Sequence, residues 1–344
     1  MKTVLKTLAG ICAVFFLLTG VPALVLFNVE RKAFDPESYK QAFEDQRYIE
    51  RMPGVLANAL HTSIAEDGNA DSYLKALTVE DWQASISTLL PPEDLQTLTD
   101  NTLDSVFGYL NGRTNSAVIS VASLKNELSG EAGVLTIKLF LRAQPPCTVE
   151  QLLQIGLGLI ERGDILLCNP PEEAFGMLAP VIESQLQTMI VNFPDEITLI
   201  PGTKSGTPDD PRINLNKLRA VLKITPVLPL IFLIGITILA VRSFPDWLKW
   251  WGWPLLVTGA TGFIVALIGS PIVGRVVQGV LQTQTSGIMP PILMSTLREA
   301  VSAVSRQILK PVALEGILLG ILGLGMILVA AYVVKKDGTP LPNK

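Results

Sequence analysis

The sequence predicts a mainly α membrane protein, with four transmembrane helices and an α-rich extracytoplasmic domain carrying one or two short β-strands. Three observations carry this. The mean hydropathy of the 344-residue chain is +0.42, above the range usual for soluble domains. Charged residues make up only 17%, against roughly 25% in a soluble domain. Four runs are long and apolar enough to cross a bilayer.

The first run, Val4 to Val29, is interrupted only by Lys6. Lys2 and Lys6 also fit the basic start of a signal peptide, with "VPA" at 21–23 as its cleavage site. The apolar residues continue past that site as "LVLFNV", which suits an uncleaved anchor better. Segment 1–29 is therefore the N-terminal anchor. The second run is Ile224 to Val241 and the third is Trp253 to Gly274, so 223–274 holds spans two and three. The fourth is Pro311 to Val334, with Glu315 near its start, followed by a tail over 335–344.

Charge gives an orientation. Residues 28–222 carry 27 acids against 15 bases, and the rest 4 acids against 12 bases, so the net −4 hides an acidic middle and basic flanks. An acidic middle argues against nucleic acid as a partner. Lys2 and Lys6, then Arg242 and Lys249, then Lys335, Lys336 and Lys344 all fall on one side of a four-span chain. That side is expected to be cytoplasmic, with both termini there and 30–222 and 275–310 outside the plasma membrane. Arg275, Arg298, Arg306 and Lys310 run against this rule and are expected to sit on a folded helix.

Between spans two and three lies "RSFPDWLKWWGWPLL". Its tryptophans, Trp247, Trp250, Trp251 and Trp253, are expected to anchor at the headgroup level, where the ring is buried and the N–H stays wet. Within the spans, Gly262, Ala266, Ser270 and Gly274, then Gly316 and Gly320, recur at four-residue spacing. Small residues so spaced let helices approach closely. Packing within the bundle is the first expectation and homo-oligomerisation the second.

Residues 30–200 are read as one helical domain and 201–222 as a linker rich in Pro, Gly and Asp. "FDPESYKQAF" starts a helix, with Asp35 as cap and Pro36 at the first helical position. Pro53-Gly54 is expected to break it, with a second helix running on to about Glu66. "TVED" at 78–81 reads as a capping box, and Pro92 to about Asn111 as a further helix. "AVISV" at 117–121 and "EITLI" at 196–200 read as strands that pair with each other. Helices are also expected after Thr148 and over 169–190. Segment 290–310 reads as an amphipathic helix that docks on the acidic domain or lies on lipid headgroups.

Catalytic chemistry finds no constellation. The one histidine, His61, cannot build a His-based metal site within the chain, and no phosphate-cradling loop, nucleophile elbow or dinucleotide fingerprint is present. No cofactor or metal is expected. Two of the three cysteines, Cys147 and Cys168, bracket a leucine-rich run. A metal half-site would want more Cys or His at short spacing, and a redox pair would want C-x-x-C. The expected topology puts both outside, where disulfides persist, so a bridge joining two helix starts is predicted.

The stretches "FDPESYKQAF", "CTVEQ", "LLCNPPEE" and "RSFPDWLKWWGWPLL" together resemble a family of predicted multi-pass bacterial membrane proteins with a large extracytoplasmic domain and no assigned function. The resemblance implies a bacterial envelope location and brings no catalytic residues. The leading functional expectation is a membrane-anchored scaffold, sensor or interaction protein without catalytic activity. Its partners would be the bilayer and another membrane or envelope protein. A transporter accessory subunit or small permease, and a lipid-binding envelope protein, are the alternatives.

Overall fold

A computed structural model describes residues 2–156, 168–202, 210–285 and 290–336. The fold is mainly α. In chain order the helices are α1 (Lys2–Ala33), α2 (Pro36–Asp45), α3 (Tyr48–Glu66), α4 (Ser72–Lys75), α5 (Val79–Leu89) and α6 (Pro92–Leu110). Strand β1 (Ala117–Ser120) precedes α7 (Ala122–Ser129), α8 (Glu131–Arg142), α9 (Val149–Gly156) and α10 (Glu172–Ile190). Strand β2 (Glu196–Ile200) is followed by α11 (Arg212–Ile224), α12 (Val227–Ala240), α13 (Phe244–Thr285) and α14 (Pro291–Lys336). The leucine-rich run over 157–167 and the linker residues 203–209 lie outside the described residues.

The chain divides into two compact units, one of residues 1–42, 204–277 and 300–344, the other of 43–203 and 278–299. Among the described residues four helices are long and apolar enough to cross a membrane, Thr3–Ala33, Arg212–Ala240, Phe244–Val280 and Pro291–Lys335, and the greater part of each lies in the first unit. Their outward side chains, such as Leu18, Ile238, Leu318 and Ile321, are exposed leucines and isoleucines. That is the surface a helix presents to lipid, where every backbone polar group must be satisfied within the helix.

Two antiparallel pairs build this unit. Phe15 of α1 stacks on Phe232 of α12 with ring centroids 5.3 Å apart, and Phe16 packs with Leu233 and Ile236. Gly235 lies against Cys12, while Thr225 donates to the Ala23 carbonyl at 3.5 Å, so the two helices run in opposite directions. Helices α13 and α14 meet along backbone. A Cβ on Gly259 would fall 2.5 Å from the Gly316 carbonyl oxygen and against the Gly320 amide. One on Gly252 would fall 3.0 Å from the Gly323 carbonyl, and one on Gly316 2.8 Å from the Phe263 amide. Only glycine permits this approach, which lipid-immersed helices use because burial of apolar surface no longer drives them together. Below it, Ala266, Leu309 and Val312 form a second cluster with Val25.

Several span boundaries depart from the sequence expectation. The linker ends before Arg212, because 212–222 is helix α11 and extends the second span. Helix α12 alone has 14 residues, or about 21 Å, short of the roughly 30 Å hydrocarbon layer. The four tryptophans are not in a turn but in the first turns of α13. Segment 290–310 is not a separate helix, because α14 passes through Pro311 unbroken. A proline inside a membrane helix loses one hydrogen bond yet is tolerated there.

The second unit packs α3 on α5, α5 on α8, and α10 on α7 and α8. Helix α5 opens on the expected capping box: Asp81 N–H donates to Thr78 Oγ1 at 3.2 Å and Thr78 N–H to Asp81 Oδ2 at 2.9 Å. Strands β1 and β2 pair antiparallel, with Val118 opposite Thr198 and Ser120 opposite Glu196. The break expected at Pro53-Gly54 is corrected, since α3 runs through it. The chain turns earlier, at Arg47, whose φ of 49° is left-handed. Gly54 instead lets α3 cross α5, with its Cβ position 3.3 Å from the Gln83 side chain. The start of α14 touches α3 within this unit through Arg51 and Glu299, 3.1 Å apart and both half exposed. The docking expected of 290–310 thus places its acid on a base, the reverse of the charge pairing anticipated from the acidic domain.

The glycine contact makes a prediction. Gly259→Ala should cost about 1–3 kcal/mol, as over-packing does, in reversible detergent unfolding of the purified protein. Gly320→Ala, whose Cβ meets nothing within 4 Å, should leave the midpoint unchanged. Equal effects would contradict the contact.

Candidate functional site

The most concentrated polar chemistry of the first unit lies at the C-terminal end of α1. Asn28 and Glu30 are both buried there, 1% and 5% exposed. They are two residues apart on a helix and so point in roughly opposite directions. Asn28 Nδ2 donates to Glu315 Oε2 of α14 at 2.8 Å and to the Leu24 carbonyl at 2.9 Å. Glu30 faces α11, where Arg219 Nη2 lies 3.2 Å and Lys223 Nζ 3.5 Å from its Oε1. The Arg219 guanidinium also sits 4.4 Å from the Phe34 ring centroid. One helix end is thereby tied to two others, and each buried group has a partner, the condition under which such groups are tolerated. Just beyond, Tyr39 donates to the Ala33 carbonyl at 3.0 Å, and burial raises its phenol above the ordinary 10.0.

Asp210, expected to be solvated in the linker, is 3% exposed and takes both its oxygens to Arg212 Nε at 2.9 and 3.1 Å. Neither this pair nor Glu30 with Arg219 was visible as a site in the sequence. Glu30 and Arg219 lie 189 residues apart, and no local spacing links them.

In the second unit Cys147 and Cys168 are joined by a disulfide, with Cα atoms 4.8 Å apart. The backbone pairs beside it: Asn169 N–H donates to the Pro145 carbonyl at 2.8 Å and Cys147 N–H to the Asn169 carbonyl at 3.1 Å. Thr148 and Gln151 cap α9 reciprocally at 2.8 and 3.3 Å. Glu172, at the start of α10, is paired with Lys138 and lies 3.6 Å from Arg142. The Lys138 hydrogen bond holds its carboxyl below the ordinary 4.5. The disulfide thus sits where α8, α9 and α10 begin or end, and it ties the starts of α9 and α10.

The remaining expected residues are spread out. Trp251 Nε1 donates to Thr237 Oγ1 of α12 at 2.9 Å, and Trp250 packs on the Phe16 cluster, so these two face the bundle. Trp247 stacks between Phe244 and Trp251. Trp253 is 60% exposed. Gly262 lies against Leu24 of α1, and Ala266, Ser270 and Gly274 are buried along α13. Gly316 and Gly320 meet α13, but through Gly259, which the four-residue spacing did not select.

Helix α10 carries an unusual outward face. Met177, Pro180 and Val181 share one side of it and are exposed, Met177 by 76%. Val191, Phe193, and Ile197 and Leu199 of β2 are exposed beyond its end. Among the described residues, strand β2 has β1 on one edge and no further strand in the sheet. Glu173, Glu183 and Glu196 are exposed beside these apolar residues.

Among the described residues no group of three or more His, Cys, Asp or Glu is placed to hold a metal ion, and His61 is half-buried on α3. No family model, curated protein or solved structure matches the chain.

The tie between α1 and α14 is measurable. A double-mutant cycle on Asn28→Leu and Glu315→Leu should give a coupling of about 0.6–2 kcal/mol, the range for interhelical hydrogen bonds in membranes. Additive losses would contradict the bond.

Proposed function

We propose that this chain is a plasma-membrane protein of four spans that presents a helical domain outside the cell membrane and acts there as a non-catalytic interaction protein. In this reading both termini and Arg242 and Lys249 are cytoplasmic, and the residues between the first span, Thr3–Ala33, and the second, Arg212–Ala240, are outside. Positive charge at the ends of the spans supports that orientation. A disulfide in the domain supports an oxidising compartment.

The observation that carries the interaction reading is the outward face of α10. Single exposed apolar residues are normal, but Met177, Pro180 and Val181 exposed together on one side of a folded helix mark a contact surface. Methionine at its centre adapts to a partner's shape. The exposed Glu173, Glu183 and Glu196 specify the partner further: another membrane or envelope protein whose apolar strip is flanked by Lys or Arg.

A role as a transporter accessory or small permease is the second reading, favoured by Glu315, an ionisable residue within a span. Its hydrogen bond to Asn28 gives it a structural part without any transport.

A photoreactive side chain at Met177, activated in native membranes, should give a protein adduct of one discrete mass. Val181→Asp in the same chain should abolish it. Adducts with lipid alone would support the lipid-binding alternative and overturn this reading, as would no adduct at all.

A further inference from the structure

A groove of about 330 Å³ runs along the outside of the first unit between α1 and α13. Ala13 and Leu17 form one wall, and Trp250, Trp253, Pro254 and Val257 the other, with Lys249 at one end. We propose that this groove binds one anionic phospholipid, with an acyl chain along the apolar walls and the phosphate on Lys249.

Dimensions fit one leaflet. Lys249 and Val257 are eight helical steps apart on one continuous helix, or about 12 Å, against about 15 Å for half of a hydrocarbon layer. The residues are also in the right order. The lysine comes first, then two indole rings, then proline and valine, which is the sequence of environments from headgroup to chain.

Charge selects the headgroup. Asp246 is the one acid between Val241 and Trp253, and it is engaged at the helix start, where Ser243 Oγ donates to it at 2.8 Å. No described carboxylate lies within ion-pair distance of Lys249, whose side chain is exposed. Lys249 lines the groove while Arg242 does not, and a basic side chain beside the headgroup attracts an anionic lipid by about 1 kcal/mol.

The site is independent of the α10 surface and of which side of the membrane the basic end faces. Its test uses the full chain in neutral detergent, titrated with phosphatidylglycerol or with phosphatidylcholine of the same chains, and read by native mass spectrometry. The wild type should retain phosphatidylglycerol about fivefold better, the ratio that about 1 kcal/mol gives. Lys249→Gln should bring the ratio to near one, and Lys249→Arg should restore it. Arg242→Gln, outside the groove, should leave it unchanged. Val257→Trp, which fills the chain-binding wall, should lower retention of both lipids. Equal retention of the two lipids by the wild type, or a preference unchanged in Lys249→Gln, would overturn the site.

Discussion

Hydrocarbon offers no partner for a backbone N–H or C=O, and it does not drive apolar helices together. The first constraint makes the spans helical, and the second decides how they associate. In this chain the answer is direct backbone approach. Gly252 and Gly259 of α13 face Gly323 and Gly316 of α14, each pair seven residues or two turns apart, so that one helix rests on the other without intervening side chains. Dispersion over that seam replaces the burial energy that a soluble bundle would use. The aromatic contact of Phe15 with Phe232 serves the other antiparallel pair.

The polar ties follow from the same setting. Asn28 and Glu30 could not remain buried at the end of α1 unless each met a partner. Glu315 on α14 and Arg219 with Lys223 on α11 supply those partners from opposite sides. Arg219 and Lys223 of α11 therefore turn toward α1, and Leu218, Val221 and Ile224 turn outward. That division makes α11 part of the second span despite its four basic residues. In the helical domain water is present, and stability comes from burial, caps and one covalent bridge. The disulfide joins cysteines at a sequence separation of 21, Cys147 and Cys168, worth roughly 3 kcal/mol in the loop-entropy model.

The centres of all four spans were legible because length and lack of charge need no partner to be read. Their ends were not. Arg219 and Lys223 look like linker residues until Glu30 is known to face them, and Pro311 looks like a helix start until α14 is seen to pass through it. The same limit applies to the small residues. Gly262 and Ala266 keep the four-residue spacing, yet Gly262 faces Leu24 of α1 while the backbone contact with α14 falls on Gly259. Spacing identifies a face of one helix but not the helix opposite it. In the domain, the capping box at Thr78 and Asp81, the strands over 117–121 and 196–200 and the disulfide were readable from local chemistry, whereas the pairing of the two strands, distant in the chain, carries no local signature. Helices α7 and α8 were not, because "ASLKNELS" and "EAGVLTIKLFLR" carry no cap signature and owe their place to packing on α5 and α10. The apolar strip on α10 has no sequence signature either, since Met177 and Val181 would read the same on an inward face.

The central claim of this account is that the helical domain and the basic ends of the spans lie on opposite sides of a membrane. A membrane-impermeant maleimide tests it most directly. In a Cys12→Ser background the two remaining cysteines are bridged. Adding Asn69→Cys, on the exposed surface of the domain, should give a chain that is labelled in intact cells. Adding Ser243→Cys, between the second and third spans, should give one labelled only after lysis. The reverse pattern, or equal labelling of both in intact cells, would contradict the account.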